Sequence, residues 1–220
     1  MKAIIIGATG ATGKYLVEQL LENGKYSNIT VLVRRKYFSP HPRLKEVVVN
    51  FDELEKYTKE ITGDIAISCL GTTLKAAGGK DKQWKIDFEY QYQFAKLASE
   101  NKVPTFILLS SMGANPNSKI FYSRMKGALE KKIETLDFPN LVIFRPGPLI
   151  RPGTDRMGEK LSLPVIQFLN SMGILRIYKP MHVQELAKAM ITKSGINFLK
   201  RTEIVESKDI FHLLTAGDNN

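Results

Sequence analysis

The chain has 220 residues, 43% of them hydrophobic and 25% charged, which suits one globular domain with a sizeable core. No apolar run approaches the roughly 20 residues that span a bilayer, and the apolar start Ala3–Ile6 is too short for a secretory signal. A single cysteine, Cys69, excludes an intrachain disulfide and makes a cytoplasmic location the expectation.

The net charge of +10 is scattered, with short clusters at Arg34–Lys36, Lys80–Lys85 and Lys131–Lys132. No long basic tract or aromatic-basic recognition motif accompanies it. An ordinary solvated surface with an anionic small ligand is expected, rather than nucleic acid.

Apolar runs at Ala3–Ile6, Ile29–Val33, Val47–Val49, Ile65–Cys69, Phe106–Leu109 and Leu141–Phe144 predict strands. Several lack a polar face, as strands covered on both sides do. Helical spacing lies between them at Lys14–Glu22, Lys85–Asn101 and Tyr122–Leu136, with Gly24 read as the stop of the first helix. The alternation predicts an α/β fold, a doubly wound parallel sheet in one domain spanning 1–220.

After Phe144, the stretch RPGPLIRPGTDRMGEKLSLP packs proline and glycine between short apolar pieces. Residues 146–182 read either as a lid over a substrate or as a cap on the edge of the sheet. A helix around Gln184–Thr192, a strand near Glu203–Val205 and a polar tail complete the chain.

The first strand runs straight into GATGATG. Gly7 stands at the turn, Gly10 in the loop and Gly13 at the head of the helix. This strand-turn-helix setting is what a dinucleotide fingerprint needs. Glycine at the turn can take a positive φ, glycine facing the ligand lets a pyrophosphate approach, and glycine at the helix lets it pack on the strand. Free N–H groups and the helix dipole then favour phosphate. The competing reading is a glycine-rich turn without a ligand. A nucleoside-triphosphate loop is rejected, since Ala8 stands where its first glycine belongs and Tyr15 replaces the magnesium-binding hydroxyl.

The second strand bears on which dinucleotide is held. An acidic residue at its end would accept bonds from ribose hydroxyls, but VLVRRK puts Arg34 and Arg35 there. Guanidinium groups match a 2′-phosphate bidentately, so NADP(H) is the expected cofactor. Asp52 reads equally as an acceptor for the adenine amino group and as a helix N-cap.

Tyr-x-x-x-Lys is a common proton-donor pair for carbonyl reduction, because the lysine charge favours the phenolate one helical turn away. It occurs twice, as Tyr92–Lys96 and Tyr122–Lys126. The first lies in a helix that precedes a strand, with Phe88, Tyr92 and Ala95 as a packing stripe. The second follows the strand TFILLSS and its loop, so its helix can carry Tyr122 to the carboxyl end of the sheet. Tyr122 and Lys126 are the expected pair. Ser110 and Ser111 end that strand and face opposite ways, so one of them would meet the substrate. Cys69 reads as a small core residue. Trp84 has no assigned role, and His41, His182 and His212 show no metal spacing.

GATGATG, VLVRR, CLGTT, LLSSMGA, YSRMK and FRPG together resemble an atypical short-chain dehydrogenase/reductase. The order and spacing are most similar to the Tat-interacting-protein oxidoreductase family, from Lys2 to about Asn170. The resemblance implies a Rossmann fold with NADP(H) held by Thr9, Gly10, Ala11 and Thr12. It also implies Arg34 and Arg35 on the 2′-phosphate, Leu70 and Gly71 beside the adenosine and ribose, and Leu149 on the nicotinamide side. Arg156 would be a further cofactor contact, Tyr122 and Lys126 the catalytic pair, and Ser111 the serine that orients substrate.

These readings converge on an NADP(H)-dependent reductase of a small carbonyl or related unsaturated compound. A sensor or regulatory protein that grips NADP(H) without turnover is the rival, and a nucleotide-sugar epimerase is a third class.

Overall fold

The computed structural model describes residues 1–151, 180–195, 198 and 200–217. In β1 (Lys2–Ile6), Ala3 and Ile5 face one core while Ile4 and Ile6 face another. Successive side chains of a strand point to opposite faces, so a strand without a polar face must be covered twice. The sheet is built on that requirement. β2 (Asn28–Val33), β3 (Leu44–Val48), β4 (Ile65–Ser68), β5 (Thr105–Leu109), β6 (Asn140–Arg145) and β9 (Thr202–Glu206) join β1. The order is β3-β2-β1-β4-β5-β6-β9, and every pair is parallel.

One face is covered by α1 (Ala11–Glu22), α6 (Val183–Ser194) and α7 (Ser207–Gly217), through Leu16, Leu20, Leu186, Met190 and Ile210. The other lies under a 3-10 helix (Phe51–Glu60), α4 (Tyr90–Glu100) and α5 (Phe121–Glu134), through Leu54, Phe94, Leu129 and Ile133. Each such side chain contributes about 1.5–3 kcal/mol by leaving water. The chain therefore folds as a single doubly wound α/β domain. Its strand order reverses beside β1, where β2 and β4 flank it and the crevice beyond the strand ends opens.

Several elements differ from the sequence reading. α1 begins at Ala11, not Lys14, and Gly24 is not its stop: Asn23 ends the helix in an extended conformation, and Gly24 has no positive φ. β3 starts at Leu44 because its pairing runs from Ile29↔Leu44. The helix expected at Lys85–Asn101 is longer and interrupted. α3 (Lys80–Trp84), a π-helical turn (Lys85–Glu89) and α4 follow one another, with the Tyr90 N–H donating to the Lys85 carbonyl. A short α2 (Leu74–Ala77) precedes them. The expected polar tail is α7, whose Ile210 is buried and whose Phe211, Leu213 and Leu214 pack on the core. The polar start Ser207–Asp209 and His212 within the apolar run masked its packing face.

β7 (Leu149–Ile150) pairs with β8 (Met181–His182) at the two ends of the expected lid. Residues 152–179, the bulk of that lid and Arg156 with it, lie outside the described residues.

Candidate functional site

The glycine loop is set by close packing. Gly7 has φ +75°, and a Cβ there would lie 2.3 Å from both the Cys69 carbonyl carbon and the Leu70 nitrogen, where the end of β4 passes. A Cβ on Gly13 would lie 2.1 Å from the Gly7 oxygen, so only glycine lets α1 rest on the turn. The Gly10 N–H donates to the Gly7 carbonyl at 2.9 Å, which folds the loop. Gly10 caps α1 without a side-chain hydrogen bond, and no acidic residue occupies the first turn. The N–H groups of Ala11, Thr12 and Gly13 thus reach the positive end of the helix without intrahelical partners. An anionic group fits that end.

A cleft of about 730 Å³ opens in front of the loop. Gly7, Ala8, Thr9 and Gly10 form one wall, Leu70, Gly71 and Thr72 another, and Asp52, Ile86 and Tyr90 the far rim. A side cavity of about 410 Å³ is lined by Thr9, Arg34, Arg35 and Tyr37. Both arginines are exposed just past β2, and no carboxylate pairs with either among the described residues. Glu46 is engaged elsewhere: it accepts the N–H groups of Tyr37 and Phe38 at 2.8 and 3.1 Å and so fixes the turn. An elongated dinucleotide with phosphate at the helix end and at the arginines fits this shape and charge.

Asp52 lines the cleft but is already engaged. Its Oδ1 accepts from Lys85 Nζ at 2.6 Å and from the Tyr90 hydroxyl at 2.5 Å, Lys85 first in effect, and these hold its carboxyl below the usual range. It is not the N-cap either. That is Asn50, whose side chain accepts the Asp52 N–H.

Beyond β5, α5 carries Tyr122 and Lys126 on one face, one turn apart. Tyr122 is 40% exposed whereas Lys126 is only 3% exposed, its Nζ 3.4 Å from the Leu109 carbonyl at the end of β5. The charge of Lys126 is felt by Cys69 in the cleft wall, whose thiol burial pushes up to about 12. At the same strand end, the Ser110 hydroxyl is hydrogen-bonded to Glu130, and the Ser111 Oγ is buried with no hydrogen-bond partner among the described residues. Leu149 sits in β7, half-buried against the core.

The other pair lies elsewhere. On α4, Lys96 is exposed and pairs with Glu100 at 3.7 Å. Tyr92 is half-buried, packs on the second core, and extends a ladder of rings with Phe88 and Trp84 under Lys132.

The NAD(P)H-binding family profile matches residues 7–152, more than half of the chain. The chain belongs to the NAD(P)H-binding family. Among its relatives, rat HTATIP2 is 33% identical over 219 residues, covering 97% of this chain and 89% of that protein. FMP52 of Saccharomyces cerevisiae, named as mitochondrial, is 36% identical over 160 residues, 70% of this chain and 68% of that protein. Solved structures repeat the fold at low identity. MoeE5 with UDP-glucuronic acid and NAD superposes with a TM-score of 0.72 at 12% identity, covering 100% of this chain and 83% of that one. UDP-glucose 4-epimerase of Thermotoga maritima gives 0.67 at 14% identity, covering 98% and 82%.

In this NAD(P)H-binding chain, three residues that hold the site escaped the sequence reading. Gly127 lets α5 lie against the loop after β5, where a Cβ would come within 2.3 Å of the Asn115 carbonyl carbon and the Pro116 nitrogen. The Asn115 N–H also donates to the Ser123 carbonyl at 3.0 Å, so that loop grips α5 at the residues that follow Tyr122 and Lys126. A glycine inside a helical pattern was the available signal. Glu130, one turn past Lys126, is buried and takes a bidentate grip from Arg145 of the FRPG stretch at 2.6 and 3.1 Å. Arg145 also reaches Glu206 at 2.9 Å, tying α5 to β6 and β9. Asp87, in the π-helical turn, is fully buried. Nothing in its sequence neighbourhood announces that.

Proposed function

We propose that the chain is an NADP(H)-dependent oxidoreductase that reduces a small carbonyl or related unsaturated compound. The observation that carries this reading is the contrast within one turn of α5: Lys126 is buried at the end of β5, and Tyr122 remains open to solvent. A buried cation one turn from a phenol favours the phenolate, the state that a proton donor must reach.

The glycine loop and the bare end of α1 would take the pyrophosphate, and Arg34 and Arg35 would take the 2′-phosphate that separates NADP from NAD. Leu70 and Gly71 would flank the adenosine and ribose, with Leu149 on the nicotinamide side. Bound NADPH supplies the hydride to the substrate carbon. Ser111 donates a hydrogen bond to the substrate oxygen and orients it, because Ser110 is committed to Glu130. Tyr122 releases its proton to that oxygen, and Lys126 stabilises the phenolate left behind.

The test is NADPH oxidation across a panel of carbonyl compounds. Substrate-dependent turnover that Tyr122→Phe abolishes, with NADPH binding intact, supports the reading. No turnover on any compound would replace it with a dinucleotide-gripping sensor or regulatory protein. The cofactor assignment has its own measurement, since Arg34→Ala should weaken NADPH and leave NADH binding unchanged.

The expected partner is the small substrate, without nucleic acid or a lipid surface. Among the described residues no helix is long and apolar enough to cross a membrane. For the compartment we propose the cytoplasm. The word mitochondrial in the names of the FMP52 relatives makes cell fractionation the check: recovery with mitochondria would overturn that assignment.

A further inference from the structure

The turn that carries Arg34 and Arg35 must hold its shape without a helix. Neighbouring parallel strands are usually joined by a helical crossover, but residues 34–43 run from the end of β2 to the start of β3 with none. Arg34, Arg35 and Lys36 stand exposed in succession at the start of this segment, and like charges so placed repel one another. A turn without restraint would have to be ordered by its ligand, at the expense of affinity.

Contacts from other elements supply the restraint. At the far end, the Arg43 guanidinium donates to the Leu21, Asn23 and Tyr26 carbonyls, the last at 2.8 Å. In the middle, Phe38 packs on the first core. Next to the arginines, the Glu46 carboxylate reaches across from β3. Its Oε1 accepts the Tyr37 N–H at 2.8 Å and the Phe38 N–H at 3.1 Å. Bonds to a charged acceptor are roughly twice as strong as neutral ones, so Glu46 is a clamp on these two successive residues.

One of the clamped residues faces the side cavity. Tyr37 lines the space of about 410 Å³ together with Thr9, Arg34 and Arg35. Its ring meets Phe38 edge to face, with centroids 5.1 Å apart, and is otherwise open, at 56% exposed. The four lining residues offer two guanidinium groups and two hydroxyls, and none of them is acidic.

We propose that Tyr37 is a specificity-determining residue for the 2′-phosphate and that Glu46 is the positioning residue that holds it at the cavity. The ligand chemistry is a phosphate monoester on a ribose. The arginines supply the charge, and the Tyr37 hydroxyl donates to a phosphate oxygen. Because Glu46 ties two successive N–H groups, the phosphate enters a turn that is already ordered. A cofactor with a bare 2′-hydroxyl gains nothing from that order. The assignment rests on the NADP(H) reading above.

The test titrates NADPH and NADH into the full chain without substrate, so it needs no turnover. Tyr37→Ala and Glu46→Ala should each weaken NADPH by about tenfold while NADH stays within about twofold. Glu46→Gln keeps an acceptor for both N–H groups and should retain most of the preference. The double variant should be little weaker than either single one, because both act through one group, whereas independent residues would add. An unchanged NADPH-to-NADH ratio in either folded single variant would overturn the proposal. So would an equal loss of both cofactors, which is what a merely structural role produces, or a fully additive double variant. If Glu46→Ala does not fold, Glu46→Asp, whose shorter side chain withdraws the acceptor, is read in its place by the same ratio. Arg34→Ala in the same titration separates the two readings. If it also leaves the ratio unchanged, the NADP(H) reading falls; if it lowers the ratio and Tyr37→Ala does not, this assignment falls alone.

Discussion

The two Tyr-x-x-x-Lys pairs have the same spacing on neighbouring helices, yet their surroundings are opposite. Lys96 lies in water and meets Glu100 at 3.7 Å, an exposed pair worth about 0.5 kcal/mol at most. Lys126 is enclosed at the end of β5, its ammonium 3.4 Å from the Leu109 carbonyl. Tyr92 is packed into a ladder of rings, whereas Tyr122 stands open at the start of its helix. A motif specifies which side chains share a helix face. What that face meets depends on whether the helix precedes or follows its strand, and only a helix that follows begins at the carboxyl edge, where the crevice lies.

The contrast can be broken most severely at the hydroxyls. Tyr122→Phe should lower kcat/KM by between about a hundredfold and ten-thousandfold, the usual loss on removing a general acid. Tyr92→Phe should leave turnover within twofold, and parallel NADPH-oxidation assays read both. The ion pairs behind each lysine come next. Glu130→Ala should cost about 3–5 kcal/mol in denaturant unfolding, because Arg145 then loses a buried partner. Glu100→Ala should change stability by less than about 0.5 kcal/mol.

A smaller effect is expected where α5 is seated. Gly127→Ala should cost about 1–3 kcal/mol, since the added carbon meets backbone at Asn115 and Pro116 that cannot rotate away. It should also displace Tyr122, so any turnover should fall further than stability alone explains. Lys96→Met closes the series, with a change within about 0.5 kcal/mol and no effect on cofactor binding. A large loss from Lys96→Met would show that the two helices are not as different as their surroundings indicate.

The glycine loop was legible because its requirement is local. Only glycine takes φ +75° where the end of β4 crosses, and the spacing of Gly7, Gly10 and Gly13 announces the turn directly. The strands without a polar face likewise implied two covered faces and a parallel sheet. The N-cap reading of Asp52 failed because Asn50 caps that helix, and the partners that Asp52 takes instead, Lys85 and Tyr90, lie more than thirty residues along the chain. α7 was misread as a tail because its short apolar run Ile210–Leu214 follows three polar residues and carries His212, and the core that it covers comes from distant segments.

The sequence by itself determined the family, the alternation of strand and helix, the phosphate-ready turn and the two arginines beyond β2. Each depends on backbone conformation or on neighbours within a few residues. Tertiary structure decided which of Ser110 and Ser111 keeps a free hydroxyl, which lysine is buried, and that a carboxylate lies fully enclosed at Asp87. Those outcomes depend on desolvation and on charges supplied by other elements, and neither quantity exists until the sheet and its helices have closed around them.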